Sequence, residues 1–375
     1  MKIVLVSPFS TQANNIAGGV AAVTHYLAYA LIEVGHEVIV LAPGKVFGEK
    51  ERRGKLDILW FGNTLLPGFL VYANQQRKQI FSLLEGLQPD VVHFEGVFGW
   101  SINCAFPYVV TIHGIAERDA AFSGNIVKRI VSSNIIKMME NKGRKLAKQV
   151  ISISPYATAI LKEKLTGQIH HINNPIDPSL FECDASANAN REDKLVCVGV
   201  IGERKNTLGV IERFSKLKQY YPLVKLVVCG TATSDSYLQE CRLLANKLGL
   251  ADDINFVGNL SRTELYSELA TAKGLLMMSR QETAPMAIAE AMAAGVPCLA
   301  PKEFGIPYMI DEGLNGWFIS DNTTEEKWIQ MTDILKSDAL PALSEHCKQS
   351  ALLYHPQKIA KDTVTVYQLA INNFG

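Results

Sequence analysis

The sequence lacks the cysteine spacing of a zinc site or a disulfide framework. Its seven cysteines are scattered, and no two of them form a CxxC pair. Most lie in apolar runs such as "LVVCG" and "VPCLA", where a thiol packs as a small core residue. We therefore expect neither a metal site nor structural disulfides, as is usual in a reducing cytoplasm.

Long apolar runs are missing as well. No stretch reaches the roughly 18 apolar residues that a membrane-spanning helix requires. The initial stretch "MKIVLVSPFS" becomes polar too early for a signal peptide. With 48% hydrophobic and 20% charged residues, the composition is typical of a folded protein. We expect a cytoplasmic location.

The sequence also has no net charge, with 37 Lys+Arg against 37 Asp+Glu. The distribution is nevertheless uneven. Residues 1–180 contain 18 cations and 13 acids, whereas the remainder contains 19 cations and 24 acids. This excess of cations either indicates an anionic partner of the first part or is incidental. We expect no nucleic-acid partner.

Strand-like and helix-like segments alternate along the chain. The run "KIVLVS" opens the pattern, a polar segment near Pro175 to Asp193 interrupts it, and "KLVCVGVIG" starts it again. Strands separated by helices indicate βαβ units with a parallel sheet, and 375 residues exceed the usual size of one core. The sequence therefore predicts an α/β protein with two doubly wound, Rossmann-like domains. Ligands of such sheets bind beyond the carboxyl ends of the strands, here most naturally in a cleft between the domains.

Three loops at predicted strand ends carry candidate binding residues. Gly18 and Gly19 precede a helix in "NNIAGGV", and His113 follows the strand in "VVTIHG". Arg204 and Lys205 follow another strand in "VGVIGERKN". Glycines before a helix allow a phosphate to approach, and paired cations suit a diphosphate. The alternatives are an ordinary turn, a histidine that caps a strand end, and a solvated pair of cations.

The segment "RQETAPMAIAEAMAAGVP" contains two acids close to a predicted helix start. Glu282 stands in the loop, Pro285 fits the first helical turn, and Glu290 lies roughly a turn and a half along a helix from Met286 to Ala294. Free amides at the helix start suit a phosphate or a sugar hydroxyl. Two carboxylates along one ligand suggest a sugar plus a ribose, whereas the alternative is a capping acid plus a surface acid.

This segment resembles the E-x7-E motif of the family 4 retaining glycosyltransferases, also described as glycosyl transferases group 1. The resemblance covers nearly the whole chain, in order, through "GGV", "PDVVHFEG", "VVTIHG", "NNPID", "VGVIGERKN" and "DEGLNGWFI". It implies the GT-B fold of two facing Rossmann-like domains. An acceptor-binding domain would span 1–177 and a donor-binding domain 178–355, and a C-terminal helix at 356–375 would cross back to the first domain.

The resemblance also implies an activity and a role for each site residue. A sugar would pass, with retained anomeric configuration, from a UDP- or GDP-type donor to a hydroxyl of a glycan, lipid-linked or small-molecule acceptor, without metal or other cofactor. Such enzymes commonly build polysaccharides or glycoconjugates. Glu290 would bind the ribose, Glu282 the donor sugar, Arg204 and Lys205 the diphosphate, and His113 would lie near the transferred sugar. The other implied donor contacts are Gly18, Gly19, Ala284, Pro285, Met286, Ala287, Gly258 and Leu260.

The chain departs from the family pattern at two places. Val200 stands where the family commonly has an arginine after the glycine of a strand end. In "EFGIPYM", Phe304 replaces a glycine and Tyr308 replaces an acid of the family's GGxPE turn. We expect Arg204 to supply the missing cation and the Tyr308 change to alter donor specificity.

Residues 118–148 contain eight cations and two acids around the amphipathic stretch "IVKRIVSSNIIKMM". A basic, apolar helix suits an anionic membrane surface and a lipid-linked acceptor. We therefore consider peripheral contact with the inner face of the membrane. The alternative is a solvated helix whose other face packs in the core.

Other classes of protein share parts of this pattern. A GT-B nucleotide-sugar epimerase or hydrolase would use the same diphosphate contacts but would consume water. A phosphorylase-like enzyme would need a lysine-bound pyridoxal phosphate. A non-catalytic nucleotide-sugar binding protein would show no turnover. Glu282, Glu290, Arg204 and Lys205 together favour a transferase.

Overall fold

The computed structural model describes residues 1–11, 18–62, 75–115, 137–182 and 191–374. The chain forms two compact units. Met1–Ile176 and Tyr354–Gly375 make the first unit, and Asp177–Leu353 make the second. The sequence places these boundaries after residues 177 and 355.

The first unit is built on an eight-stranded sheet. Its strands are β1 Lys2–Val6, β2 Glu37–Pro43, β3 Lys50–Arg53, β4 Leu56–Phe61, β5 Val91–Glu95, β6 Tyr108–Ile112, β7 Gln149–Ser152 and β8 Gln168–His171. They are ordered β3-β4-β2-β1-β5-β6-β7-β8, and neighbours run parallel except for β3 with β4. The strand order reverses direction at β1. Continuous apolar runs such as Ile3–Val6 are fully buried, as expected for a sheet covered on both faces.

Five described helices of the first unit come before residue 177. They are α1 Gly19–Glu33, α2 Gln75–Leu87, α3 Phe98–Ser101, α4 at 137–146 and α5 Pro155–Leu161.

The second unit contains a six-stranded parallel sheet. Its strands are β9 Lys194–Val198, β10 Lys225–Cys229, β11 Ile254–Gly258, β12 Gly274–Leu276, β13 Cys298–Ala300 and β14 Gly316–Phe318. They are ordered β11-β10-β9-β12-β13-β14. The order reverses between β9 and β12, which is where doubly wound sheets bind ligands. Its helices are α6 Thr207–Tyr220, α7 Asp235–Lys247, α8 Arg262–Ala270, α9 Met286–Ala293, α10 Glu325–Lys336 and α11 Leu340–Ala351.

The helix α12, Pro356–Asn372, returns to the first unit. Its Ile359, Val366 and Tyr367 side chains are buried in the same apolar cluster as Ile3 of β1 and Val91 of β5. The prediction that a C-terminal helix packs back on the first domain is confirmed.

Glycines end neighbouring strands of the second sheet. Gly230, just after β10, has a φ of 146°, and a Cβ there would overlap the carbonyl oxygen of Gly199. Gly258 ends β11 with a φ of 75°. These positions allow the backbone to adopt conformations that other residues rarely reach. The carboxyl edge of this sheet is therefore bare of side chains at these two strand ends.

Within the described ranges, no helix is long and apolar enough to cross a bilayer.

Candidate functional site

Two loops of the second unit meet at the reversal point of its sheet. The loop after β9 carries Arg204 and Lys205, and the loop after β12 carries Glu282. The Lys205 Nζ atom lies 2.6 Å from Glu282 Oε1, and Arg204 Nη1 lies 3.7 Å from the same oxygen. Backbone contacts join the loops, because the Arg280 amide donates to the Arg204 carbonyl oxygen at 2.8 Å. The loops that follow β9 and β12 thus bring their charged residues into one cluster.

The cluster holds more positive than negative charge. Glu282 is only 7% exposed, and Lys205 is the partner that makes burial of its carboxylate tolerable. The Arg204 side chain is 39% exposed, and its Nη1 atom also donates to the Gln281 carbonyl oxygen at 3.2 Å. Two cations against one carboxylate leave a net positive charge that suits a phosphate group.

A turn at 303–305 packs against the Glu282 loop and is hydrogen-bonded to it. The Gly305 amide donates to the Glu282 carbonyl oxygen at 3.0 Å, and a Cβ at 305 would overlap the Thr283 carbonyl. Phe304 adopts a φ of 59°, a left-handed conformation in which the glycine typical of the family would be unstrained. Tyr308, which stands where the family commonly has an acid, is 56% exposed.

The helix α9 starts with open backbone amides. Six other described helices begin with a side chain that accepts from their first turn: Ser154 for α5, Asn206 for α6, Ser234 for α7, Ser261 for α8, Thr324 for α10 and His355 for α12. Pro285 precedes α9 and provides no such acceptor. The N–H groups of Met286 and Ala287 are therefore available to an anion or a hydroxyl, whereas the Ile288 amide donates to the Pro285 carbonyl oxygen at 3.1 Å.

The bounds of α9 differ slightly from the prediction. Pro285 has an extended ψ of 117° and occupies the N-cap position instead of the first turn. Ala294 is the C-cap, and Gly295 follows with a φ of 71°. Arg191 occupies this end of the helix, where its Nη2 atom donates to the Ala294 and Gly295 carbonyl oxygens at 3.0 and 2.9 Å.

Glu290 is the fifth residue of α9, a little over one turn from its start. Burial raises the pKa of its carboxyl to about 7, while the nearby Arg262 and Lys205 oppose this shift and Asp177 adds to it. Asp177 is itself paired, because its Oδ2 atom accepts from Arg262 Nη1 at 3.0 Å. Among the described residues, no hydrogen bond or ion pair holds the Glu290 carboxyl. This carboxyl is therefore free to accept from a ligand.

The other predicted donor contacts of the second unit lie along the same sheet edge. Gly258 is the last residue of β11, and Leu260 follows it two residues later in the loop that precedes α8. Ala284 lies in the loop between Glu282 and α9.

In the first unit, Gly18 and Gly19 form the start of α1. Gly18 is the N-cap with a φ of 92°, and α1 begins without a side-chain hydrogen bond at its cap. A Cβ at Gly18 would meet nothing within 4 Å, so the backbone conformation, not space, accounts for glycine there.

His113 follows β6 at the carboxyl edge of the first sheet. Its Nε2 atom lies 2.6 Å from Oε2 of Glu95, the last residue of β5. Glu95 is 1% exposed. Our sequence reasoning missed this acid, although the strand-end rule that selected His113 applies equally to "VVHFEG".

The predicted membrane segment, residues 118–148, is only partly described by the structure. Residues 118–136 lie outside the described part. Within the described part of the chain, Lys137, Met138, Lys142, Lys145 and Leu146 of α4 are exposed. No group of three or more potential metal ligands of the His, Cys, Asp and Glu types occurs among the described residues.

Known proteins resemble both units. A family model described as Glycosyltransferase Family 4 matches residues 17–180, and one described as Glycosyl transferases group 1 matches residues 182–352. An uncharacterized glycosyltransferase of Methanocaldococcus jannaschii is 26% identical over 410 residues, with 100% of each chain covered.

Solved structures resemble the whole fold. Sucrose-phosphate synthase from Thermosynechococcus elongatus matches with a TM-score of 0.79 at 18% identity, covering 98% of each chain. Anabaena HepE, determined in complex with UDP, matches with a TM-score of 0.72 at 16% identity and covers 98% of this chain and 100% of that one. These similarities show the GT-B fold. Because the two family models together match most of the sequence, the chain belongs to the family 4, group 1 glycosyltransferases.

Proposed function

We propose that the protein transfers a sugar from a UDP- or GDP-type donor to a hydroxyl of a glycan, lipid-linked or small-molecule acceptor, with retained anomeric configuration. The observation that carries this proposal is the arrangement around α9 in the second unit. Two adjoining loops form the Lys205–Glu282 ion pair. The helix α9 that follows them has an uncapped start and carries the free Glu290 carboxyl.

The cation pair is suited to the leaving diphosphate. Lys205 is paired with Glu282, so phosphate oxygens would compete with this carboxylate for the ammonium group. Glu282 would then be released to accept from a hydroxyl of the donor sugar. Negative charge that develops on the departing diphosphate is stabilised by Lys205, Arg204 and the α9 amides.

Glu290 is suited to the ribose. A carboxylate accepts from two neighbouring hydroxyl groups, and the Glu290 carboxyl is not engaged by any described residue. Gly258 and Leu260 would contact the base, and Gly18 with Gly19 would allow α1 to approach the phosphates.

The proposed transfer requires no bound metal or other cofactor. The acceptor hydroxyl would attack on the face from which the diphosphate leaves, and its proton would pass to a phosphate oxygen. His113 would contact the transferred sugar. An unchanged rate in EDTA is expected, and loss of activity that Mg²⁺ or Mn²⁺ restores would contradict this point.

Donor binding tests the proposal most directly. Thermal-shift screening with UDP-, GDP- and ADP-sugars identifies the base, and calorimetry with the matching free nucleotide then compares variants. Lys205→Ala should weaken binding about tenfold or more, which corresponds to about 1.4 kcal/mol. The exposed Lys216 of α6 provides a matched control, because Lys216→Ala removes the same charge elsewhere on this unit. Equal affinities of both variants would contradict the proposed site.

Transfer itself is tested with Glu282→Ala. This variant should lose most activity while nucleotide affinity and the melting temperature are largely kept, and proton NMR of the wild-type product should show the donor's anomeric configuration. Full activity of Glu282→Ala would remove its assigned role. An inverted product would contradict retention.

We also propose peripheral membrane contact through residues 118–148, which would suit a lipid-linked acceptor. In the described part of this segment the exposed side chains of α4 are basic or apolar, and the acid in it, Glu140, is buried. Such a surface favours anionic lipid. Flotation with phosphatidylglycerol liposomes at low salt should bring the protein to the top fraction, and absence of binding would exclude the contact.

A further inference from the structure

A buried polar network lies behind His113, between β5, β6 and α12. It consists of His93, Glu95, Thr111, His113 and Tyr367. His93 Nδ1 lies 2.7 Å from the Tyr367 hydroxyl, and His93 Nε2 lies 2.6 Å from Thr111 Oγ1. Glu95 Oε2 lies 2.6 Å from His113 Nε2. We call these five residues the His113 network.

The hydrogen-bonding roles of Tyr367 and His93 follow from their burial. Burial raises the pKa of Tyr367, so its hydroxyl stays protonated and donates to His93. Burial also lowers the pKa of His93, so this ring is neutral and donates from Nε2 to Thr111. The Glu95 carboxylate lies beside these groups, with its Oε1 atom 3.6 Å from His93 Nδ1.

Glu95 is held as an anion beside His113. Burial alone would raise the pKa of Glu95, but the hydrogen bond from His113 opposes this effect and the pKa lies below its ordinary value. A carboxylate only accepts, so the His113 nitrogen that faces it must carry a proton. This leaves His113 Nδ1, which no described residue contacts by a hydrogen bond, as the ring nitrogen available to a ligand.

We propose that Glu95 is a positioning residue, which fixes the His113 ring with Nε2–H towards its carboxylate and presents Nδ1 to the transferred sugar. Gly96 lies beside the ring, because a Cβ there would be in van der Waals contact with His113 Cδ2 at 3.5 Å. Tyr367 extends the positioning to α12. The proposal rests on the proposed function in one respect, namely that His113 contacts the sugar.

The first measurement needs no substrate. In the ¹⁵N-histidine-labelled full chain, the Nε2–H proton of His113 should resonate far downfield and exchange slowly, because it is buried against a carboxylate. His113→Ala assigns the signal by removing it. Glu95→Gln should move it upfield, since a neutral amide oxygen is a weaker acceptor. A missing signal, or one that Glu95→Gln leaves unchanged, would overturn the proposal.

The second measurement concerns transfer. Glu95→Gln should lower kcat about 10- to 100-fold, as for other partners that orient a functional histidine, while affinity for the free nucleotide is unchanged. The double variant Glu95→Gln/His113→Ala should be no slower than His113→Ala, because both changes remove one unit of function. Glu85→Gln, an exposed acid of α2, is the matched control and should keep full activity.

The outcomes separate the two proposals. Additive losses in the double variant, or full activity of His113→Ala, overturn the positioning role even when nucleotide binding by the second unit is normal. Failure of wild type to bind any nucleotide contradicts the proposed function, whereas the NMR signal still decides whether Glu95 fixes the ring.

Discussion

The Glu290 carboxyl links the stability of the native state to pH. The native pKa of about 7 exceeds the ordinary value of 4.5, so the native state keeps a proton that the unfolded chain releases. The stability linked to this proton is fully present below about pH 4.5 and is lost as pH rises through about 7. Retaining an unpaired carboxyl here therefore costs stability at neutral pH.

Replacing this carboxyl should remove that cost. Glu290→Gln should melt higher than the wild type at pH 8, by about 3 °C or more, and by much less at pH 5. Differential scanning calorimetry at both pH values measures this. Glu303→Gln, an exposed acid of the same unit, should show no pH-dependent difference. An equal shift of Glu290→Gln at both pH values would show that the native carboxyl titrates normally.

Individual residues were predicted from the sequence where one local rule identifies them. Arg204, Lys205 and Glu282 each follow a strand, so their placement at the sheet edge follows from the alternation of elements alone. Their mutual ion pairs could not be predicted, because the pairing of β9 with β12 joins segments about 80 residues apart in the chain. Glu95 was missed although it ends a predicted strand, and its pairing with His113, which follows the neighbouring strand β6, appears only in the folded sheet.

At the scale of elements, the helix α9 is stabilised at its C-terminal end by a half-buried cation. Arg191 donates to the Ala272, Ala294 and Gly295 carbonyl oxygens, which satisfies groups that a helix end leaves open. A cation also suits the negative end of the helix dipole. The polar segment before β9, which the sequence shows only as a linker, therefore contributes to the stability of α9.

Removing this cation should weaken the second unit. Arg191→Ala should lower the free energy of unfolding by about 2 to 3 kcal/mol, since hydrogen bonds to a charged group are lost in a largely buried place. Urea titration followed by circular dichroism measures the change. Arg242→Ala, an exposed position of α7, should stay within about 0.5 kcal/mol of the wild type. Equal effects of both variants would refute the capping role.

The turn at Phe304 should store strain that a glycine would release. Phe304→Gly and Phe304→Ala both remove the ring, but only alanine keeps a Cβ at a φ of 59°. The glycine variant should therefore be about 1 kcal/mol more stable than the alanine variant in urea titrations. At the neighbouring Lys302, where φ is ordinary, alanine should be the more stable of the two. The same ranking at both positions would argue against strain.

The boundaries of helices could be predicted from the sequence where a residue such as glycine or proline marks them. Gly295 marks the end of α9 as expected, since its φ is 71°. Pro285 was assigned one position too far into the helix, because proline fixes φ but leaves ψ to the surrounding loop. The left-handed Phe304 could not be foreseen from propensity, since a residue with a side chain adopts it only when the surrounding structure enforces it.

On the scale of the whole molecule, the two units differ in how the chain completes them. The second unit is one continuous segment, and among the described residues its main apolar cluster is formed by residues from Leu195 to Leu343. The first unit needs two separate segments, because α12 contributes to its buried cluster. The sequence indicated two domains from the restart of the strand pattern, and the strand order within each sheet emerges only from the structure.

This difference predicts which fragment folds. A fragment of residues 177–353 should be monomeric, unfold cooperatively and bind the free nucleotide within about tenfold of the full chain, as measured by calorimetry. A fragment of residues 1–176 should lack a cooperative transition, because Tyr367 and its neighbours no longer cover the sheet. Loss of nucleotide binding in a well-folded 177–353 fragment would contradict a donor site built from the second unit alone.

The late position of α12 also sets an order for synthesis. The ribosome releases all of the second unit before it releases the segment that covers β5 and β6 of the first unit. A nascent chain therefore carries an unfinished sheet with bare apolar strands while a complete downstream body is already able to fold. The part that is translated first completes its sheet last, and during that interval its uncovered apolar strands are prone to aggregation.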